Sequence, residues 1–410
     1  MNDNRKKVAV FFGGRSPEHD VSVVTGLQVL GAIDESLYDA FPVYIDTDGE
    51  WRVGDVLRDR NNYMLDFEGR EAAKPVTLDP KGKHGGCLIP KKKPLFGAAR
   101  PITFDIAMPC FHGLYGEDGG VQGLFDLCDI PYTGMRAMAS SILMDKAVTK
   151  KILASADIPV LPCAVIHRPR DGGYQVEEKE IKAAMKAQDI KFPCIIKPSH
   201  LGSSIGVAKV TTAREVKAVL PTIFQYDAAA ILEPFVDNLV EYNVAISRAF
   251  GEVKTSAIER PKTSDELLDF KQKYLSGQDN KMGGNKLGGT KSADVSISEG
   301  MLSLTRELNP KITKKLDKTI REYAQKMFEA VDGTGAPRID FIGNEKTGEI
   351  WLNEVNPIPG SFGYFLWEAA EEQALFTDFL TALLNEAEAE NIKRILPKDP
   401  VPKDARLLKR

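Results

Sequence analysis

The sequence is 410 residues long, with a formal net charge of −4 at neutral pH and 43% hydrophobic residues. That length exceeds one ordinary core and predicts two or three domains with ample apolar content to bury. The charge balance argues against a general nucleic-acid binder, and no unbroken apolar run reaches membrane-spanning length.

The N-terminus MNDNRKKVAVFF runs straight into a strand pattern rather than the apolar region and cleavage site of a signal peptide, so a cytoplasmic protein is expected. Lys7 to Phe12 reads as that strand. The loop GGRSPEHD and the helical pattern VSVVTGLQVLGAI follow, with Ser16 as N-cap and Pro17 as first helical residue. AFPVYID is a second strand. Strand, glycine turn, helix and strand in this order predict a parallel sheet with helices on its faces. Residues from about 47 to 103 are less regular, and KGKHGG and PKKKPLFGAARP read as exposed loop and hairpin with solvated basic clusters. FDIAMPCF restores a strand, and HGLYGEDGGVQGLFDLCDIPYTG a loop and then a helix. AMASSILMDKAVTKKILASA is expected as one helix leading into a second domain.

FPCIIKPSHLGSSIGVAKV, residues Phe192 to Val210, is an apolar run ending in a lysine, then glycines and serines, then another apolar run. Small residues let backbone N–H groups converge on an anion, which suggests phosphate. A P-loop would put its lysine after the last glycine and continue into a helix. Here Lys197 comes first and Val207 and Val210 look β-like, so the segment reads as two strands joined by a loop that covers a ligand. Taken alone it reads first as an ordinary glycine-rich hairpin. AAILEPFVDNLVEYNVAISRAF is strand-rich, and the Gly, Lys and Ser-rich segment between Tyr274 and Asn309 looks mobile and interrupts its domain without ending it. A helix around Lys311 to Val331, strands APRIDFIG and EIWLNEVNPIPG, and a last helix near Ala374 to Ala387 complete the body, before the Pro-rich, charged tail KRILPKDPVPKDARLLKR. The five cysteines, Cys87, Cys110, Cys128, Cys163 and Cys194, include no CxxC pair and read as core residues, and the five histidines form no HExxH.

The most informative constellation is RID at Arg338 to Asp340 and NEVN at Asn353 to Asn356. Two strands joined by the turn GNEKTGE would bring Asp340 near Glu354 and Asn356, and the latter two, two apart on one strand, share a face. Three converging oxygen ligands suit Mg²⁺, which completes its shell with water and nucleotide phosphates. Arg338 would neutralise transferred phosphate. The bland alternative is a polar strand end at the surface, but LNEVN lies in an otherwise apolar strand, where unpaired charge is costly. A phosphate loop in one domain and a magnesium site in the next imply ATP bound between them.

GGRSPEHDVS, FHGLYGEDGGVQG, PYTG, MDKAVTK, KPSHLGSSIGV, KYLS, RIDF and NEVNPIPG occur in the order seen in D-alanine-D-alanine ligases of the ATP-grasp superfamily, which the chain resembles over roughly residues 7 to 385. The resemblance implies an α/β ATP-grasp fold, α+β in its ATP-binding part, with an N-terminal parallel-sheet domain and ATP bound between two further domains. The divisions expected are 1–134 for the substrate-binding α/β domain, 135–232 for the central subdomain with the glycine/serine lid loop, 233–390 for the C-terminal subdomain with the Mg site and the loop 275–308, and 391–410 for the tail. It also implies the reaction: an acyl phosphate forms from one D-alanine and ATP, and the amine of a second D-alanine attacks it, giving a dipeptide for peptidoglycan synthesis. ATP is the co-substrate, two Mg²⁺ (or Mn²⁺) the metal, and a cytoplasmic homodimer the expected assembly, with no nucleic-acid or membrane partner.

Carried over by motif, Glu18 would hold the ammonium of the first amino acid, and Ser203 and Tyr274 would form with it a hydrogen-bonded set that closes the loop. His112 and Glu117 would line the first substrate's side. Lys146, Lys197 and Ser204 would contact the nucleotide, Glu233 and Phe235 the adenine, Glu241 the ribose, and Lys273 the γ-phosphate. Arg338 and the backbone N–H of Gly360 would stabilise the oxyanion, with Asp340, Glu354 and Asn356 binding the metal. The chemistry asks for such parts, because phosphoryl transfer depends on positioning and charge neutralisation, and an acyl phosphate must be kept from water.

Three features depart from the family pattern. Leu201 stands where a charged residue is common, Phe365 takes the place of a serine in the Ser-Leu pair that holds the second substrate's carboxylate, leaving Leu366, and the segment between Tyr274 and Asn309 is longer than usual. Tyr274 itself favours the D-alanine-D-alanine type over depsipeptide-forming relatives. Two alternatives follow: a related carboxylate-amine ligase that takes a different second amino acid, motivated by Tyr364 and Phe365, and a nucleotide-binding regulator without turnover.

Overall fold

The computed structural model describes residues 5–63, 72–81, 85–91, 100–202, 205–261, 306–394, 396–397, 399–402 and 404–408. Ser203, Ser204, Lys273, Tyr274 and nearly all of the expected loop 275–308 lie outside these residues.

The first sheet has seven strands, with β1 (Lys6–Gly13) flanked in parallel by β2 (Tyr38–Ile45) and β7 (Ile106–Pro109). Val8 to Phe12 are all fully buried, as expected of a strand covered on both faces. The irregular stretch supplies four further strands, β3 (Trp51–Val53), β4 (Lys74–Leu78), β5 (Gly86–Pro90) and β6 (Ile102–Phe104), which extend the sheet in antiparallel fashion from β2. Only the β2-β1-β7 part is therefore parallel.

Helix α1 (His19–Ala32) begins two residues later than Ser16 and Pro17 suggest. Glu18 is the N-cap, and the Ser16 hydroxyl instead accepts the Glu18 N–H at 3.1 Å, so the Ser-Pro pair builds the turn before the helix. Helix α2 (Gly120–Leu127) follows the loop after β7. The single helix expected over residues 137–156 is two, α3 (Ala137–Met144) and α4 (Lys146–Ser155), broken at Asp145. Asp145 is extended (φ −83°, ψ 102°), and its carboxylate accepts the N–H groups of Ala147 and Val148. An aspartate inside an apolar period can thus end one helix and cap the next, because its side chain competes for backbone N–H.

The second sheet is antiparallel, in the order β10 (Ala208–Val210), β9 (Cys194–Pro198), β11 (Ala229–Pro234), β8 (Ala164–His167). Helices α5 (Glu178–Ala187) and α6 (Ala213–Ile223) cover it through Ile181, Met185, Val216 and Leu220. As the sequence suggests, Lys197 ends one strand of a pair whose other member lies beyond the glycine/serine residues.

The third sheet is also antiparallel: β14 (Arg306–Leu308), β13 (Lys254–Pro261), β12 (Leu239–Ser247), β15 (Arg338–Asn344), β16 (Ile350–Asn356). Helix α7 (Lys314–Ala330), capped by Thr313, lays Ile320, Ala324, Met327 and Phe328 on it. This i, i+4, i+7, i+8 spacing makes one apolar face, and each large side chain buried there contributes roughly 1.5–3 kcal/mol of transfer free energy. A turn at Gly360–Gly363 and the short α8 (Tyr364–Glu368) lead to α9 (Phe376–Ile392). Leu366, Trp367, Phe379, Leu380 and Leu383 share a core with Val8, Val10 and Phe12, so the chain's last helix packs back on the first sheet. Among the described residues no helix is long and apolar enough to cross a membrane.

Candidate active site

The residues with chemical character gather where the carboxyl ends of β1 and β7 meet β15, β16 and the start of α4, the crevice position common in open α/β sheets. On the third sheet, Asp340 lies opposite Glu354 and Arg338 opposite Asn356. Four polar side chains thus form a two-by-two patch on one face. Arg338 donates to the Asp340 carboxylate through Nε at 2.6 Å and Nη2 at 2.7 Å, and Asn356 Nδ2 donates to Asp340 Oδ2 at 3.0 Å. The register then slips: Phe341 faces Leu352, so Asn353 is the extra residue of a β-bulge beside Glu354. Asn353 Oδ1 accepts from Lys197 Nζ at 2.9 Å, which ties the second sheet to the third.

The first two turns of α4 carry two lysines four apart, Lys146 and Lys150, on one helix face. Lys146 Nζ donates to Leu201 O at 2.6 Å and lies 3.7 Å from Glu354. Lys150 Nζ lies 2.7 Å from Glu233 Oε1, close but off the direction of a hydrogen bond, and Lys197 Nζ lies 2.8 Å from Glu233 Oε2. All three members of this bridge are buried. Burial alone would raise the Glu233 carboxyl, but the ammonium groups of Lys197 and then Lys150 outweigh it and hold it at about 2. Burial likewise opposes the Lys197 ammonium, and Glu233, then Glu354, reverse the effect and raise it.

On the first sheet, Gly113 has φ +71°, and a Cβ there would stand 2.4 Å from Glu18 Oε2, so only glycine lets the loop after β7 close on the Glu18 carboxylate. Glu117 accepts the N–H groups of Gly113 at 2.7 Å and Ile358 at 2.9 Å. Burial, reinforced by the nearby Glu18, raises its carboxyl to about 8. His112 Nε2 is 2.8 Å from Thr25 Oγ1, and a further hydrogen bond joins its ring to the Ile358 backbone. Burial lowers it to about 4, so the ring is neutral at pH 7. Ser361 N in turn donates to Thr25 Oγ1 at 3.2 Å. His112 and Glu117 therefore fasten the segment that leads into Gly360 onto the first sheet. Ser361 and Phe362 hold φ +52° and +55°, a left-handed conformation costly for such residues and found where surrounding contacts enforce it.

Of the sequence candidates, Glu18, His112, Glu117, Lys146, Lys197, Glu233, Arg338, Asp340, Glu354, Asn356 and Gly360 belong to this connected set. Phe235 stands apart, with the Lys209 ammonium 3.5 Å above its ring, and Glu241 pairs with Ile342 on β12. Phe365 is half-buried under the Arg306 guanidinium at 4.4 Å, while Leu366 is wholly inside the core. Thr25, Asp145, Lys150, His200 and Asn353 were not singled out from the sequence. Lys150 had a signal, its i+4 spacing from Lys146. Asn353 had none, because a bulge is not written in the alternation of a strand.

The donors at Asp340, Glu354 and Asn356 are all oxygen, the set a hard cation such as Mg²⁺ prefers, and they fit such an ion. With both oxygens of Asp340 engaged by Arg338, that carboxylate is already part-neutralised, and a bound cation would compete with the guanidinium for it.

Two family models match the chain: one described as D-ala D-ala ligase N-terminus, over residues 7–135, and one described as D-ala D-ala ligase C-terminus, over residues 152–300 and 295–385. A D-alanine–D-alanine ligase of Thermosipho africanus is 32% identical over 363 residues, 88% of each chain. One from Listeria monocytogenes is 30% identical over 371 residues, covering 88% of this chain and 90% of that one. Among solved structures, the D-alanine-D-alanine ligase from Coxiella burnetii matches in fold with a TM-score of 0.71 at 21% identity, covering 95% of this chain and 96% of that one. The VanG D-Ala:D-Ser ligase from Enterococcus faecalis matches with a TM-score of 0.70 at 25% identity, covering 94% and 100%. The chain belongs to the D-alanine–D-alanine ligase family and has its ATP-grasp fold.

Proposed function

We propose that the protein is an ATP-dependent ligase that joins two D-alanine molecules into D-alanyl-D-alanine for cell-wall synthesis. The observation that carries this reading is the connected set itself: the Glu18 and Glu117 carboxyls beside Gly113, the Lys146, Lys150 and Lys197 ammonium groups, and the Arg338–Asp340–Glu354–Asn356 patch, joined by the Lys146–Glu354 and Lys197–Asn353 contacts. A carboxylate of the first D-alanine attacks the γ-phosphorus of ATP, and ADP leaves. The amine of the second attacks the acyl carbon and, after losing a proton, forms the amide as phosphate departs.

Each side chain has a part in this scheme. Glu18 attracts the ammonium of the first amino acid. Glu117 and neutral His112 hold the Ile358–Gly360 backbone so that the Gly360 N–H and Arg338 face the developing oxyanion. Lys146 and Lys197 offset the charge of the nucleotide phosphates. Asp340, Glu354 and Asn356 would hold Mg²⁺, which supplies charge neutralisation on the transferred phosphoryl group. Ser203, Ser204, Lys273 and Tyr274 keep the lid and nucleotide roles that the resemblance implies, Phe235 and Glu241 those at adenine and ribose. The separate second and third sheets support a division near the end of β11, while the start of the segment 135–232 packs on the third sheet through Met135, Ala139 and Leu143. A cytoplasmic homodimer completes the reading.

A second reading is favoured by one observation: Phe365 and the Arg306 guanidinium stacked on it, where the family has a serine. It is a ligase with a different second amino acid, and the likeness to a D-Ala:D-Ser ligase supports it. Phosphate release from Mg-ATP with D-alanine alone and with D-amino acid pairs, with products identified by mass, separates the two. The D-alanine dipeptide as main product supports the first reading. A mixed dipeptide only supports the second, and no D-amino-acid-dependent release would overturn both.

A further inference from the structure

The turn Ser199–Gly202, at the end of β9, stands between the two halves of the site. Lys146 donates to it twice, from its backbone N–H to Ser199 O at 3.1 Å and from Nζ to Leu201 O at 2.6 Å. On the other side Gly202 approaches Glu18 so closely that a Cβ would stand 3.2 Å from Oε1. His200 lies in the middle of this turn and touches neither group. Its Nδ1 is 2.8 Å from Asp227 Oδ1, its Nε2 is 3.3 Å from Asp145 Oδ2, and its backbone N–H donates to Asp227 Oδ2 at 2.6 Å. Each carboxylate is itself fixed. Asp145 caps α4 and accepts from Ser199 Oγ at 3.1 Å, and Asp227 accepts the Ala229 N–H at 3.0 Å.

We propose that His200 is a positioning residue for ligation: as a cation clamped between Asp145 and Asp227, it locks the Ser199–Gly202 turn onto Lys146 and Glu18 and keeps the nucleotide and first-substrate sites in register. The inference rests on the ligase reading above. A carboxylate at each ring nitrogen requires a proton on both, which is the imidazolium form. The charged groups facing the ring are Asp145, from the α4 cap, and Asp227, from the segment before β11; Lys197 of β9 turns instead to Glu233 and Asn353, and Lys146 to Leu201 O and Glu354. A neutral side chain here leaves two carboxylates facing one another, one of which caps the helix that carries Lys146. The hydrogen bond with Asp145, then that with Asp227, raise the imidazole to about 9. The clamp is therefore complete at pH 7 and is lost as pH rises through about 9.

The test uses the full chain with His200→Gln, His200→Arg and Asp227→Asn. It reads the KM values for ATP and D-alanine and kcat from pH 6 to 10, together with Mg-ADP affinity by calorimetry and the thermal midpoint. His200→Gln is expected to raise KM for ATP and weaken Mg-ADP binding about 10-fold or more, within the penalty of a misplaced site. His200→Arg, which keeps the charge, is expected to recover most of this and to lack the alkaline loss near pH 9 expected of the native protein. Asp227→Asn, with one carboxylate fewer, is expected to move that loss to lower pH. Unchanged KM values and ADP affinity in His200→Gln, or a lowered thermal midpoint alone, overturn the proposal. So does an arginine variant no better than the glutamine one. Should His200→Gln fail to fold, an unmoved alkaline limb in Asp227→Asn overturns it equally. Native protein that binds Mg-ADP but releases no phosphate with D-alanine would instead refute the ligase reading, and the ADP affinities would still judge the clamp.

Discussion

Asp340 faces Glu354 across β15 and β16 while Arg338, two residues before it on the same strand, closes on the Asp340 carboxylate with two hydrogen bonds of 2.6 and 2.7 Å. The bidentate fork is the strong form of such a pair. It also gives Asp340 two tasks, orienting Arg338 and offering oxygen to a cation. Asp340→Asn keeps the shape and removes the charge, so turnover should fall roughly 100- to 1,000-fold, in the range for lost transition-state stabilisation. The Mg²⁺ concentration for half-maximal rate should rise as well. Phosphate release titrated with Mg²⁺ checks both, and unchanged turnover would refute the assignment of metal to this patch.

The Lys150–Glu233–Lys197 bridge predicts a stability effect larger than that of a surface ion pair. Glu233→Gln leaves two buried ammonium groups without their carboxylate, a change that costs about 3–5 kcal/mol when a buried pair loses one partner. Its folded carboxyl, near 2, lies below the ordinary value of 4.5, so its contribution is present above pH 4.5 and disappears as pH falls through about 2. Urea denaturation at pH 7 and at pH 3 reads this: the difference between native and variant should shrink on acidification. An equal difference at both values would mean that packing, not charge, sets the cost.

Much of this site is legible in the sequence because its parts sit at fixed spacing on simple elements. Arg338 and Asp340 alternate on one strand, Glu354 and Asn356 on the next, and a short turn brings them into register. What was hidden depends on breaks in regularity. The sequence 137–156 keeps an apolar helical period through Asp145, and only the side chain's choice of the Ala147 and Val148 N–H groups splits it and places Lys146 in a first turn. Asn353 faces Lys197 because of a bulge, which depends on how two strands settle their register. The antiparallel extension from β3 to β6 was obscured by short strands and long basic connections, which leave too little alternation to read.

Glu117 gives a prediction of opposite sign to Glu233. Burial first, then Glu18, raise its carboxyl from 4.5 to about 8. Between those values the folded protein holds a proton that the unfolded chain has released, so this residue makes stability fall as pH climbs from about 4.5 to 8. Glu117→Gln carries no such proton. Its unfolding free energy should be flatter than the native protein's across that window: where the amide oxygen keeps the hydrogen bonds from Gly113 and Ile358, the two curves run close below about pH 4.5 and separate toward pH 8, with the variant the more stable. Denaturant midpoints at half-unit pH steps provide the comparison, and parallel curves would show that Glu117 is ionised in the folded protein.

Phe365 links the second-substrate question to a contact that can be removed. The Arg306 guanidinium lies 4.4 Å from the centre of its ring and 3.2 Å from Glu259, so ring, cation and buried carboxylate form one stack. Phe365→Ser loses the cation–π contact and part of an apolar contact with the core, at a cost of about 1–3 kcal/mol for a side chain that is only half-buried. It also introduces the hydroxyl that the family resemblance leads one to expect here. If this position meets the second substrate, KM for the second amino acid should change several-fold while KM for the first stays fixed. Phe365→Ala separates the hydroxyl from the vacated volume: a gain for D-alanine in the serine variant alone assigns the effect to hydrogen bonding to the substrate carboxylate. Equal changes in both variants assign it to space beside Arg306, and unchanged KM values in both would make Phe365 a core residue that merely carries the arginine.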